Sequence, residues 1–351
     1  MAPRKDGEKK EEEFMEKINL RLFGEVTGRE VSASTGNNLS AGNEAFYANK
    51  LIGAAEHNLV YSQFAQKRSI PKNGGKTVEF RKFEPLAKAT TALTGGVTPN
   101  GPALETTSLT ASLSQYDGFV RFTGIPDLTS VNPDMIETVD NIGEQAGYKL
   151  DRIVRDIVME GTNVQYGDGS VASRAALTGG AASGNNYLTV DAVKKAVRAL
   201  RKQNAKPING YYIAIVHPDT AYDLMNDPEW KEMNNYTSGN VGKLYKGEIG
   251  CVAGVRFVES TEAKIWKGTT DGGKGGRAVY GTLILGANAY GTTEIKNNLC
   301  MVIKQSDSAG AADPLDRSLM VGWKAAFTAK ILMDEYMVRI ETCSSFDSDA
   351  N

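Results

Sequence analysis

The sequence predicts an α+β protein: a frame made of one long helix and late strands, a projecting two-stranded arm, and an α/β module inserted into the frame. Three observations predict it. From Asn132 to Gly161 apolar residues recur on one helical face over about 40 Å, at ~1.5 Å per residue. Two stretches of strand character, Lys76–Phe83 and Ser108–Tyr116, enclose a long segment rich in Thr, Gly and Pro. Late in the chain, Leu319–Ile331 and Glu335–Glu341 are two further strong strands.

Each element has a local reason. In the long helix Asn132 can cap the first turn, and Pro133 suits a position whose N–H has no intrahelical acceptor. Asp134 and Glu137 face the positive end of the helix dipole, and Gly161 ends the run. Met135, Val139, Ile142, Ala146, Leu150, Ile153 and Ile157 recur at steps of three and four, which predicts a single buried stripe. Such a helix is a beam on which other parts are mounted, since an ordinary globular helix has only ~11–12 residues.

Ahead of the beam, residues 1 to about 40 are mixed-charge and then Gly/Ser-rich. They cannot bury much apolar surface of their own, and the arm they form is expected to lie on neighbouring subunits. Asn43–Gln66 reads as helical, interrupted near Asn58. In Ser108–Tyr116, Leu109, Ala111 and Leu113 face one way and Ser108, Thr110, Ser112 and Ser114 the other, the pattern of a half-exposed strand. The segment between the two strands, Glu84–Thr107, is longer than the structureless loops usual within a compact domain. A two-stranded arm is marginal in water, so this one is expected to rest on something outside its own core.

Behind the beam, Thr162–Gly184 reads as a surface linker. Thr189 caps a helix over Val190–Asn204, and Tyr211–Val216 is a buried-type strand. Pro218 opens a short helix to about Met225, and Val252–Glu259 and Ala278–Leu285 are further strands. Leu319, Val321, Trp323, Phe327 and Ile331 give the first late strand an apolar face. A tight turn at Met333–Asp334 would fold the second late strand back on it, as a C-terminal hairpin covering the beam's stripe.

Composition excludes several classes. The chain has 351 residues and a formal net charge of −2, so bulk charge makes no case for nucleic-acid binding. No apolar run approaches the ~18 residues of a membrane span, and the polar start is not a secretory signal. Cys251, Cys300 and Cys343 are far apart and make neither a CxxC pair nor a disulfide framework, so a reducing cytoplasm is the default compartment.

Candidate chemistry is sparse. His217, followed by Pro218 and Asp219 at a strand end, is either a general base or a turn residue; no Ser or Cys nucleophile motif accompanies it. Gly272–Gly276 lacks the spacing of a phosphate loop and reads as a hairpin tip. Asp151, Asp156 and Glu160 pair with no His at metal spacing. Lys149, Arg152 and Arg155 make a basic strip on the beam, either a phosphate contact without sequence readout or interleaved surface charge. Trp230, Tyr236 and Tyr245 are either interface anchors or partial core.

The order of these pieces resembles the major capsid proteins of tailed bacteriophages with the Hong Kong 97 fold. The matching stretches are LVYSQFAQKRSIPKNGGKTVEFRKFEPL (59–86), GEQAGYKLDRIVRDIVMEGTN (143–163), KPINGYYIAIVHPDTAYDLMNDPEW (206–230), GVRFVES (254–260), LILGANAYG (283–291) and ADPLDRSLMVGWKAAFTAKILMDEYMVRIE (312–341). The resemblance implies an N-terminal arm over 1–70 and an extended loop over 71–125. It further implies a peripheral domain with the spine helix over 126–184, an axial domain over 185–300 and the peripheral C-terminal hairpin over 301–351. The extended loop would lie on the neighbouring subunit, and the axial domain would point to five-fold and six-fold centres. Subunit-interface candidates are then Lys76, Arg81, Lys82, Thr94 and Pro99 on the loop, with Trp230, Tyr236 and Tyr245 on the axial domain. Ile142, Ala146, Leu150, Ile153 and Ile157 would be the spine-helix core.

The implied function is a shell, built through pentamers and hexamers, that encloses double-stranded DNA, with no catalytic residue, metal or cofactor and no membrane. The implied partners are portal and scaffolding proteins, cement or decoration proteins, and packaged DNA through non-specific contacts. The polar start is too short for a scaffolding segment, so any scaffold is expected to be a separate protein. An encapsulin-type nanocompartment shell is the alternative within the fold, and a soluble enzyme using His217 the alternative outside it.

Overall fold

The computed structural model describes residues 41–70, 75–83, 106–123, 134–178, 185–237, 248–267, 277–295, 298–304 and 318–351. The polar arm and the expected hairpin tip at Gly272–Gly276 lie outside them.

In chain order the elements are α1 (Ala41–His57), β1 (Gln66–Arg68), β2 (Thr77–Phe83), β3 (Thr106–Ser112), β4 (Ser114–Thr123), α2 (Asp134–Val158) and β5 (Val164–Tyr166). There follow α3 (Val190–Lys202), β6 (Tyr212–Val216), α4 (Pro218–Asn226), α5 (Pro228–Thr237), β7 (Glu248–Val252), β8 (Val255–Glu259) and β9 (Ile265–Trp266). The chain closes with β10 (Val279–Leu285), β11 (Tyr290–Thr293), β12 (Leu299–Lys304), β13 (Ser318–Phe327), β14 (Ala329–Ile331) and β15 (Met337–Thr342).

The long helix α2 is a single run of 25 residues. Its fully buried apolar side chains are Val139, Ile142, Ala146, Leu150, Val154 and Val158. Beyond Leu150 the buried line passes through Val154 and Val158, while Ile153 and Ile157 pack on its margin, partly buried. A step of four residues turns a side chain about 40° round the axis. The buried line therefore winds round the helix as its partners change from α1 to the strands.

Small residues set the first of those contacts. A side chain at Gly147 would place its Cβ 2.5 Å from the carbonyl oxygen of Ala55, and one at Gly143 2.8 Å from that of Leu51. Helix α1 thus approaches α2 backbone to backbone, which only glycine permits. Each mid-helix glycine costs about 1 kcal/mol of helix propensity. The burial of Leu51 and Ala55 offsets it.

Among the described residues, four sheets complete the fold. A two-stranded sheet pairs β2 with β3 from Thr77 opposite Ser112 to Phe83 opposite Thr106. A three-stranded sheet runs β12-β13-β4, and a second runs β1-β11-β14. A seven-stranded sheet has the order β5-β15-β10-β6-β8-β7, with β9 paired to β10.

Three expectations are corrected here. The strand expected over Ser108–Tyr116 divides at Leu113: its first part pairs with β2, its second belongs to β4 and pairs with β13. The strand expected over Val252–Glu259 is a hairpin, because Ala253 and Gly254 take φ of +54° and +82° and turn the chain between β7 and β8. The expected C-terminal hairpin does not form. β13 pairs with β12 and β4, whereas β15 enters the seven-stranded sheet, antiparallel to β10 and parallel to β5. The reason is burial: Val338, Ile340, Glu341 and Thr342 are all buried, so β15 is covered on both faces as an internal strand must be. The intervening turn, Asp334–Tyr336, is held from the other side, where Asp334 accepts from the Thr162 N–H just beyond α2.

Candidate functional site

For a chain of this shape the candidate site is surface that other copies could meet. The β2–β3 hairpin has two unlike faces. Val78, Phe80 and Ala111 are buried against Leu332, and Phe80 lies over Gly291, where a Cβ would come within 2.5 Å of its ring. That anchors the hairpin's base to β11. The other face presents Glu79 and Arg81 across from Ser108 and Thr110; Ser108 donates to Glu79 at 2.5 Å, and Arg81 lies 3.7 Å from the same carboxylate. Of the loop candidates Lys76 and Arg81 are exposed and Lys82 is half-buried. Thr94, Pro99 and Tyr245 lie outside the described residues, and Tyr236 sits in α5 with its side chain outside them.

Trp230 is corrected from anchor to core. It is 4 % exposed and meets the ring of Phe257 edge-on, with centroids 5.2 Å apart, inside the module's cluster around Leu200, Val216 and Leu224. Sequence alone left this open because Trp serves both places; the deciding facts are long-range neighbours.

The basic strip is engaged within the subunit, although Lys149 and Arg152 stay exposed. Lys149 donates to the Asp117 carbonyl at 2.9 Å and lies over the Trp323 ring. Arg152 pairs with Glu262 bidentately, its Nε and Nη2 each donating to one carboxylate oxygen. Arg155, 2 % exposed, binds the Glu262 carbonyl at 2.8 Å and Asp156 at 2.9 Å. These cations join the long helix to β4 and to the loop after β8. Arg339 adds a bond to the Met159 carbonyl at the helix end.

His217 is a capping residue. Its Nδ1 accepts from the Asp219 N–H at 3.2 Å, and its ring lies 5.1 Å from that of Tyr280. Burial holds its pKa below the ordinary histidine value. Asp219 accepts from Tyr280 at 2.6 Å and from Ser348 at 2.5 Å, so the nearby serine donates to the carboxylate rather than to the imidazole. That is not the nucleophile–base order of acyl-transfer sites. Among the described residues no three His, Cys, Asp or Glu side chains could hold a metal, the three cysteines are free, and no helix is long and apolar enough to cross a membrane.

Among the described residues Asp151 is the strongly perturbed carboxyl. It faces the turn before β1, accepts from the Ser62 N–H at 3.1 Å, and leaves Oδ2 without a partner among the described residues. Burial pushes its pKa up to about 6, against the pull of the Ser62, Tyr61 and Val60 amides. The folded state therefore holds this proton more tightly than the unfolded chain. Its stabilising contribution is fully present below the unfolded value near 3.8 and is lost as pH rises through about 6. Asp151→Asn keeps the acceptor and removes the charge. It is expected to raise the melting temperature at pH 8, with a gain on the order of 3 kcal/mol at most, and to change little at pH 4. Melting curves at the two pH values check this; an equal effect at both would contradict the buried-charge argument.

A long beam, an anchored hairpin with an open polar face and an inserted module, without an assembled catalytic set among the described residues, describe a subunit shaped to meet other subunits. The comparisons agree. The sequence model of the family described as phage capsid protein matches residues 105–336, more than half of the chain, and the chain belongs to that family. Solved structures share the fold. The capsid of Ralstonia phage GP4 aligns with a TM-score of 0.64 at 14% identity, covering 82% of this chain and 89% of that one. The capsid asymmetric unit of cyanophage Pam1 aligns with a TM-score of 0.60 at 13% identity, covering 93% and 99%. The capsid of Helicobacter pylori bacteriophage KHP30 aligns with a TM-score of 0.58 at 14% identity, covering 93% and 96%. No curated protein sequence matches the chain. The chain is thus a structural protein of a phage capsid, where it forms part of a multi-subunit shell.

Proposed function

We propose that this chain is the major capsid protein of a tailed phage and self-assembles through pentamers and hexamers into an icosahedral shell around double-stranded DNA. The observation that carries this reading is the family match over residues 105–336, which spans the beam, the module and β13 together. In this reading the β2–β3 hairpin is the base of an extended loop that clamps a neighbour, with Lys76, Arg81 and Lys82 at that contact. Helix α2 is the spine, and the module around the seven-stranded sheet is the axial domain, the part nearest the symmetry axes. Arg155 is buried in an internal joint, so of the strip only Lys149 and Arg152 are exposed to contact packaged DNA. Assembly takes place in the bacterial cytoplasm with scaffolding and portal proteins, and no step requires catalysis by this chain.

The test is the content of particles recovered from a lysed host. After nuclease treatment they should yield protected double-stranded DNA. Particles holding a protein cargo and no DNA would instead indicate a nanocompartment shell.

A further inference from the structure

Between α1 and β1 the chain crosses the long helix through residues 58–65. The crossing holds a single 3-10 turn, Tyr61–Phe64, in which Tyr61 and Ser62 are buried. Asp151 of α2 lies against it, 1 % exposed, and accepts the Ser62 N–H on Oδ1 at 3.1 Å. The Tyr290 hydroxyl of β11 donates to the Tyr61 carbonyl. The residues that follow, Gln66–Arg68, pair in parallel with Gly291, Thr292 and Thr293. Gly291 is also the residue over which Phe80 of the hairpin lies. The crossing thus leads directly to the root of the β2–β3 hairpin.

A charge on Asp151 has no counter-ion in contact among the described residues. Arg155, one turn further along α2, is buried as well, but its guanidinium is committed to the Glu262 carbonyl and to Asp156. Oδ2 of Asp151 and the hydroxyl of Tyr61 are both buried without a hydrogen-bond partner among the described residues. The other ionisable groups around the crossing are Asp156 on the same helix, Glu262 in the loop after β8, Tyr61 in the turn and Tyr290 on β11. Asp156 and Glu262 add negative charge. Burial, and after it the Asp151 charge, push both tyrosine hydroxyls up, so both stay neutral. Only the Val60, Tyr61 and Ser62 groups favour the ionised form of Asp151, and burial outweighs them. A proton on Oδ2 removes the costly buried charge and leaves Oδ1 free to accept the Ser62 amide.

We infer that Asp151 is a pH-sensitive latch: uncharged, it seats the crossing from α1 into β1 on the long helix, and charged, it lets that crossing open ahead of the rest of the subunit. The device needs only one subunit and stands apart from the shell reading. Its sign follows from linkage. The seated state binds the proton more tightly than the open one, so seating is firmest in acid and weakens as pH rises towards about 6.

Hydrogen exchange of the full-length chain, read at residues 58–68 and corrected for the intrinsic rate at each pH, tests the latch in wild type and Asp151→Asn. At pH 8 these amides should exchange faster than the most protected amides of the subunit, and Asp151→Asn should slow them on the order of a hundredfold. At pH 4 the two proteins should differ only a few-fold. Equal exchange of wild type and variant at pH 8 would overturn the latch. So would exchange of 58–68 at the rate of the most protected amides at both pH values, because the crossing would then open only when the whole subunit unfolds. Should Asp151→Asn fail to fold, the wild-type profile decides: corrected exchange at 58–68 climbs between pH 4 and 6 and levels off above, and a flat profile would overturn the inference.

Discussion

Gly147→Val unfolds or strongly destabilises the subunit, although it removes a glycine from the middle of a helix. A Cβ at this position meets main chain, the Ala55 carbonyl oxygen at 2.5 Å and the Ala55 Cα at 3.1 Å, so no rotamer change relieves the clash. Helix α1 must move away, and the Leu51 and Ala55 contacts over Ile142 and Ala146 open with it. Overpacking typically costs ~1–3 kcal/mol, and a backbone-to-backbone contact lies at or above the top of that range. The gain from replacing a helical glycine is only about 1 kcal/mol. Gly53→Ala is the control: it lies on the exposed side of α1 with nothing within 4 Å of a new Cβ, and should be neutral or slightly stabilising. Thermal melting by circular dichroism separates them. Wild-type melting of the valine variant would mean that the two helices are not in close contact.

Replacing Ala87–Leu104 with a short Gly/Ser link leaves the subunit folded and abolishes closed shells. The replaced segment lies outside the described residues, beyond Phe83 on one side and before Thr106 on the other, so all seven β2–β3 pairs remain. The anchor of the hairpin, Phe80 over Gly291, remains too. In the proposed reading, what is lost is reach towards a neighbour. Ordering a loop costs ~1–2 kcal/mol of backbone entropy per residue, so a loop of this length repays its ordering only by docking over a wide surface. Melting and electron microscopy of the same sample read both halves of the expectation. Global unfolding would make the segment part of the subunit core, and normal closed particles would make it dispensable.

Local chemistry was the readable part of this fold. The beam was legible because an amphipathic period is written in neighbouring residues, while its expected cap at Asn132 and Pro133 lies outside the described residues; the Thr189 cap with the helix behind it was legible in the same local way. The cap at His217 was harder to read: histidine is an unusual N-cap, and the sequence left open whether it was a base or a turn residue. The Gly143 and Gly147 contact was missed, since glycine in a helix looks like weakness until the partner helix is known. The division at Leu113 was hidden because β3 and β4 share one alternating pattern and differ only in their partners. The C-terminal strands looked like a hairpin because they are adjacent in sequence. Their pairing is instead decided by β4, β10 and β12, which no local pattern identifies.

Electron microscopy of the purified full-length chain tests the central claim most directly. The account predicts closed, roughly spherical particles of megadalton mass with icosahedral symmetry. A small soluble oligomer of fixed size, with no closed particles even when a scaffolding protein is supplied, would contradict it.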